Sequence, residues 1–317
     1  MAVQSAGGFG AAPYATETDF GNNEVNRMDR EVKSKRTPFS RFLPGFARGL
    51  RRRYRLARRA VSRRQEFERH LRADDIFLVG HPKSGNTWLA YMLAVMIRRD
   101  QDREVNISNI GTYVPVMHAR DRSIVRHAHL ESPRVFRNEG PRYPDLYPRT
   151  VYILRDPRSV FLSYYHHCVH DTRDTSWAIG DFVDEMLENG CIERLEPFLV
   201  RWDRQVEAWS KRSRVQPVHI VQYESLKADC VSTLAGIADF VGLDYDAELL
   251  EMTAERGDFR SMRREEETYG AESYPGEKGQ RGYFVRKGRV DSWVEEMPAD
   301  VVARIEEAFE GPMRRYG

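Results

Sequence analysis

The chain has 317 residues, 41% of them hydrophobic and 11% aromatic, so it can bury a sizeable core and wholesale disorder is excluded. Its net charge is only +2, yet twelve arginines against Glu66 and Glu68 give the stretch 41–72 a local +10 and leave about −8 for the rest. The three cysteines, Cys168, Cys191 and Cys230, fit neither a disulfide framework nor a zinc site and suggest a reducing compartment. The run Leu89 to Ile97 is half the length of a membrane-spanning helix, and Met1 to Asp19 lacks the pattern of a secretory signal. These features predict a cytoplasmic protein.

Residues 1–40 are rich in small and polar residues and are expected to be disordered. In the basic block, 41–73, Leu50, Tyr54, Ala57 and Val61 recur at helical spacing with arginines around them, which predicts an Arg-rich amphipathic helical segment. Such a helix can simply be solvated, or it can contact an anionic membrane peripherally through residues 41–72. Nucleic acid is the weaker partner, because no aromatic or base-reading motif accompanies the charge.

A domain is expected over 74–317. Ile76 to Val79 is a short apolar run that ends at Gly80, as a central strand buried on both faces would. A helix from Trp88 to Arg98 follows. The same unit recurs at Val151 to Leu154 with a helix from Pro157 to His167, where Pro157 suits a first helical turn. Val218 to Val221 is a third strand, between helices at about 196–212 and 231–241. Strands alternating with helices predict an α/β fold: a single P-loop-like domain with a central, mostly parallel sheet flanked by helices. The stretch Gly257 to Gly288 is charged, carries six glycines and reads as an irregular lid or binding loop.

The loop Gly80-His81-Pro82-Lys83-Ser84-Gly85-Asn86-Thr87-Trp88 joins a strand to a helix N-terminus, where free backbone N–H groups and the helix dipole bind phosphate. Its Gly80-x-x-x-x-Gly85 spacing is that of a nucleotide P-loop. However, Asn86 stands where that motif has lysine, and Lys83 lies inside the loop. Pro82 to Trp88 resembles instead the P-K-S-G-[TN]-T-W donor loop of cytosolic-type sulfotransferases that use 3′-phosphoadenosine 5′-phosphosulfate (PAPS). Two further segments carry the resemblance. Arg155, at the end of the second strand, and Ser163, eight residues on, match the family's 3′-phosphate site. Arg286-Lys287-Gly288 with Trp293 matches its R-K-G-x-x-x-x-W signature.

The resemblance implies that Lys83, Ser84, Gly85, Asn86, Thr87 and Trp88 hold the 5′-phosphosulfate and adenine, and that Arg155, Ser163, Arg286, Lys287 and Gly288 hold the 3′-phosphate. Tyr223, Phe259 and Met262 would contact the nucleoside. The family's base lies in a K-T-H-L-P segment, which Ala128-His129-Leu130 resembles, so His129 is expected as the base, with His127 in place of the lysine and the segment extended. Lys83, restrained by Ser163, would stabilise charge on the bridging oxygen. The expected reaction is in-line transfer of the sulfuryl group from PAPS to a hydroxyl of a small-molecule, lipid or sugar acceptor, releasing 3′,5′-bisphosphoadenosine, with no metal. Two alternatives stay open: a P-loop kinase using ATP and magnesium, and an inactive nucleotide-binding, membrane-associated scaffold. The family's K-x-x-x-T-V-x-x-x-E dimer motif has no match after Trp293, so no mode of dimerisation is carried over.

Overall fold

The computed structural model describes residues 61–99, 104–117, 123–138, 140, 143–172, 177–190, 192, 199–271, 274–275 and 285–316. They fall into two units divided between Leu71 and Arg72. In the first, residues 61–70 are helical. The segment expected to be disordered, and most of the segment expected to be an amphipathic helix, lie outside the described residues.

The second unit is built on a four-stranded, wholly parallel sheet in the order β2-β1-β3-β4. The strands are β1 (Ile76–Gly80), β2 (Val135–Asn138), β3 (Arg149–Leu154) and β4 (Val218–Gln222). Every residue of β1 is buried, which is why its sequence is apolar without alternation. Edge strand β4 keeps Ile220 and Gln222 exposed.

Helix α1 (Asn86–Arg98) follows β1 and buries nine of its residues in a row apart from Thr87 and Trp88, so it is apolar on every face. Helix α2 (Pro157–Thr172) follows β3. Next in order are α3 (Ile179–Asn189), α4 (Trp202–Arg212), α5 (Tyr223–Ala228), α6 (Cys230–Val241) and α7 (Ala247–Arg256). Helices α8 (Phe259–Tyr269), α9 (Ser292–Glu296) and α10 (Ala299–Tyr316) complete the unit. No described helix is long and apolar enough to cross a membrane.

Two expectations are corrected. The stretch after Gly257 is not irregular throughout: Phe259–Tyr269 forms α8, whose first turn is capped by the Asp258 carboxylate accepting from Arg260 N at 2.8 Å. The segment around His127 and His129 is not extended. It is a turn after a single helical turn at Ser123–Arg126, with Ala128 N bonded to Val125 O and Leu130 N to His127 O.

Because the strands are parallel, all four carboxyl ends share one edge of the sheet. In such a sheet the crevice outside the carboxyl ends is where loops are free to build a site. The loop after β1, Arg155 after β3 and Tyr223 after β4 all start there.

Candidate functional site

A cavity of about 350 Å³ opens at this carboxyl edge. Its floor is the loop between β1 and α1. Lys83 and Gly85 take left-handed backbone conformations, at φ 68° and 104°, and turn the chain from strand into helix. Glycine at 85 has a second reason: a Cβ there would sit 2.8 Å from the Tyr223 ring. Asn86 is buried under the loop and donates through Nδ2 to His81 O at 3.1 Å. It thus ties the loop down where a nucleotide P-loop would present a lysine.

The second phosphate candidate is joined directly to the first. Arg155 Nη1 donates to Lys83 O at 2.9 Å, and its guanidinium lies 4.1 Å over the Tyr223 ring. Its Nε is buried and has no hydrogen-bond partner among the described residues. Burial pushes the Arg155 pKa down, with nearby Arg286 adding to the effect, while the surrounding Tyr223, Glu224 and Asp156 oppose it. Arg155 borders the cavity, and a guanidinium so placed can receive an oxyanion. Ser163 also lines the cavity, from α2.

The third candidate arrives from the far end of the sequence. Gly288 has φ 64°, and a Cβ there would lie 2.4 Å from Phe259. The backbone of this segment is held by Arg263, which donates to the Val285 carbonyl and, at 2.7 Å, to the Arg286 carbonyl. Val285 N in turn donates to the buried Glu266 at 2.9 Å. Arg286, Lys287 and Gly288 thereby line the same cavity as Lys83 and Arg155.

The remaining wall is aromatic. Trp88 Nε1 donates to Gly257 O at 2.8 Å, which fixes the indole edge-on to Tyr223 at 5.2 Å between centroids. Phe259 and Met262, on the face of α8, extend this wall. Burial, partly opposed by Arg155, pushes the Tyr223 pKa up, so its phenol stays protonated at neutral pH. One end of the cavity is therefore cationic and the other flat and apolar, the arrangement that a purine nucleotide with more than one anionic group requires.

Of the expected residues, Lys83, Gly85, Asn86, Thr87, Trp88, Arg155, Ser163, Tyr223, Phe259, Met262, Arg286, Lys287 and Gly288 all border this cavity. Ser84 does not. It is 1% exposed beneath the loop, and its hydroxyl has no partner among the described residues. His129 does not either. It is exposed, with Nδ1 3.1 Å from Arg126 O. Arg72, just before β1, donates to Ala128 O at 2.6 Å and to Leu130 O at 2.8 Å, while Ile76 N donates to Arg134 O at 2.9 Å. This segment therefore belongs to the amino ends of β1 and β2, the edge of the sheet opposite the cavity. His127 stays beside it, 6.0 Å away between ring centroids.

Other residues reach the cavity or its loop too, and of these only Arg137 went unread in the sequence. His167 and Tyr164 line the cavity from α2, and the ammonium of Lys227 lies 5.7 Å from the Trp88 ring centre. Near the carboxyl end of β2, the buried Arg137 donates to Val114 O at 3.0 Å and, at 3.4 Å, to the hydroxyl of Thr87 in the loop. His167 lies four residues after Ser163 and so shares its helix face, a spacing readable from sequence. The placement of Arg137 and Lys227 depends on the tertiary fold.

Comparison with known proteins bears on these observations. Residues 73–317 match the family model described as the sulfotransferase domain. The amine sulfotransferase of Oryctolagus cuniculus is 23% identical over 79% of this chain and 84% of its own length. Cytosolic sulfotransferase 17 of Arabidopsis thaliana is 26% identical over 76% and 75%. Among solved structures, retinol dehydratase in complex with androsterone and inactive cofactor PAP has a TM-score of 0.59 at 18% identity, covering 76% of this chain and 80% of that one. Mouse sulfotransferase SULT7A1 complexed with PAP has a TM-score of 0.55 at 23% identity, covering 77% and 86%.

Proposed function

This chain belongs to the sulfotransferase family, and we propose that it transfers the sulfuryl group of PAPS to a hydroxyl of a small-molecule acceptor. The observation that carries this reading is the meeting of Lys83, Arg155 and Arg286-Lys287 in one cavity whose other wall is Trp88, Tyr223 and Phe259. Three cationic segments from distant parts of the sequence have one purpose in common: they match a nucleotide anionic at both its 3′ and 5′ positions. ATP carries no 3′-phosphate, and the family match disfavours the kinase and scaffold readings.

In this reading the donor supplies an activated sulfuryl group on its 5′-phosphate. The chain's own residues do the rest. The 80–88 loop and the start of α1 hold the 5′ end. Arg155, Ser163, Arg286, Lys287 and the Gly288 backbone hold the 3′-phosphate, and the aromatic wall takes the adenine. Lys83 is placed to stabilise negative charge on the bridging oxygen as it leaves.

The proton of the acceptor hydroxyl needs a base at the same edge. His129 lies at the other edge, so we assign the base to the cavity side. His167 lines the cavity there. Glu139 is the next residue in sequence after Asn138, where β2 ends. The retinol and androsterone named with the solved relatives are alcohols; a small lipophilic hydroxyl compound is therefore the first acceptor class to try.

The test is release of 3′,5′-bisphosphoadenosine from PAPS across phenols, sterols, sugars and lipids. Release that depends on PAPS and an acceptor supports the reading, whereas activity only with ATP and magnesium refutes it. The base is then decided with His129→Ala, His167→Ala and Glu139→Gln. Loss of a general base lowers turnover about 100-fold or more. We expect that loss in His167→Ala or Glu139→Gln and near-normal turnover in His129→Ala, and the reverse pattern would overturn the edge argument. Peripheral attachment of the arginine-rich stretch is checked separately. Sedimentation with anionic vesicles, with and without residues 1–72, must differ if that stretch binds membrane.

A further inference from the structure

Against two cationic residues of the cavity wall, Arg286 and Lys287, sits an acidic residue that the phosphate-binding reading does not use. Glu296, the last residue of α9, accepts from Arg286 Nη1 at 2.7 and 3.0 Å through its two carboxylate oxygens. Lys287 Nζ lies 3.0 Å from Oε1, and His166 Nε2 lies 3.1 Å from Oε2. These three donors come from α2 and from the segment before α9, and Arg155 is near enough to Arg286 to act on it. Burial alone would raise the Glu296 pKa, but the bonds from Lys287 and Arg286 bring it below the ordinary range, so the side chain is ionised at neutral pH. Burial, then the field of Arg286, lowers the His166 pKa, which leaves a neutral imidazole donating through Nε2.

Two geometric facts decide what this carboxylate does. First, all of Arg286's bonds to Glu296 use one nitrogen, Nη1. The Nε–Nη2 edge carries no bond among the described residues. Elsewhere in this protein that same edge grips a carboxylate with two parallel bonds: Arg134 holds Asp75 at 2.7 and 2.6 Å, and Arg201 holds Asp203 at 2.7 and 2.6 Å. Arg286 thus has its bidentate edge open while its other side is held. Second, Arg286 and Arg155 are close enough to repel. A fixed carboxylate behind Arg286 and Lys287 offsets that repulsion and stops the side chains from swinging apart. Glu296 itself is anchored through α9, where Met297 N donates to Trp293 O at 3.0 Å and the Trp293 ring lies 3.9 Å under the Arg158 guanidinium.

We propose that Glu296 is a positioning residue for the 3′-phosphate, holding Arg286 and Lys287 from behind so that their remaining N–H groups face the nucleotide. This rests on the reading that the cavity takes a 3′-phosphorylated nucleotide. It also predicts that the residue's influence is confined to ligands that carry that phosphate.

The experiment is calorimetric titration of the full chain with adenosine 3′,5′-bisphosphate and with adenosine 5′-monophosphate, which differ only in the 3′-phosphate. Wild type, Glu296→Ala, Glu296→Gln, Arg286→Ala and the double variant Glu296→Ala/Arg286→Ala are compared. Residues coupled through direct contact show interaction effects up to about 100-fold. We expect Glu296→Ala to weaken the bisphosphate about tenfold while the monophosphate changes less than about twofold. Glu296→Gln, whose amide oxygen can still accept from Arg286, should recover part of the loss. In the Arg286→Ala background, removing Glu296 should change little. Bisphosphate binding as tight as wild type, or tighter, in Glu296→Ala overturns the proposal, because the carboxylate would then be a bystander or a competitor. Equal losses for both nucleotides overturn it as well, showing a packing role. If the wild-type chain itself does not prefer the bisphosphate, the donor reading fails first and this proposal falls with it.

Discussion

Arg155→Lys separates the two jobs assigned to one side chain. The guanidinium spans 2.9 Å to the Lys83 carbonyl and 4.1 Å over the Tyr223 ring, and it borders the cavity. A lysine brings the same charge but a single ammonium, which cannot hold the loop carbonyl, stack on the phenol ring and meet an oxyanion together. A hydrogen bond involving a charged group contributes about 1.5–3 kcal/mol, and a cation over an aromatic ring about 0.5–2 kcal/mol. If lysine keeps the loop and abandons the phosphate, adenosine 3′,5′-bisphosphate should bind weaker by roughly 2–3 kcal/mol, a factor of about 30–150. Adenosine 5′-monophosphate should lose only about fivefold or less, the part owed to a loosened Lys83 loop. Fluorescence of Trp88, which lines the cavity, or calorimetry reads both affinities. Equal losses for the two nucleotides, or none for the bisphosphate, would refute the assignment of Arg155 to the 3′-phosphate.

Two further predictions concern the fold beneath the site. The Arg134–Asp75 pair is almost fully buried, at 1% and 0% exposure, and joins the amino ends of β1 and β2. Asp75→Asn leaves a buried guanidinium without its counter-charge and should cost about 3–5 kcal/mol in denaturant unfolding, with partial recovery on adding Arg134→Met; a loss under about 1 kcal/mol would show the pair to be dispensable. Burial lowers the pKa of His81 to about 4, against a partly opposing bond to the Pro82 carbonyl. Because the folded value lies below the unfolded one of about 6.5, the unfolded chain takes up the proton first as pH falls. Stability is therefore complete above about pH 6.5 and drains away toward pH 4, by about 2 kcal/mol at pH 5. Urea midpoints from pH 7.5 to 5 should fall less steeply in His81→Asn, and identical slopes would contradict this.

Much of the fold was legible because its strands obey a simple physical rule. Ile76–Val79 and Val151–Leu154 are buried on both faces, so their sequences are continuously apolar and stand out. β2 was not legible, because its four buried residues include Arg137 and Asn138, whose polar groups are satisfied by Val114 O, Thr87 and the Tyr147 hydroxyl, partners that only folding supplies. α8 was hidden by a high charge density and nearby glycines, although Asp258 as a cap and the Phe259–Met262 spacing were there to be read. The phosphate loop, Arg155 and the 286–288 segment were legible as local patterns. The expected base lies off the cavity for a topological reason. Position between the first two motifs says that a residue flanks β2, but not which end of β2 it flanks. With β2 running from Val135 to Asn138, the turn at 127–130, tied to Arg72 just before β1, lies by the amino ends of the strands and away from the loop after β1.

That same topology explains why Arg137 matters more than its place on an edge strand suggests. Pairing Val79 with Asn138 puts the end of β2 level with the end of β1, so a long side chain at 137 can reach the first turn of α1. There it meets Thr87 Oγ1 at 3.4 Å. A guanidinium only donates, so the threonine oxygen must accept in this contact. Its hydroxyl proton is then left for another acceptor, and Thr87 borders the cavity. A buried cation behind the loop thus fixes the polarity of a hydroxyl in front of it. The Lys83 carbonyl, held by Arg155, shows the same logic, with a cation from the neighbouring strand end setting which groups of the loop face the cavity. The loop sequence names a phosphate site, but the strands on either side of it orient its polar groups.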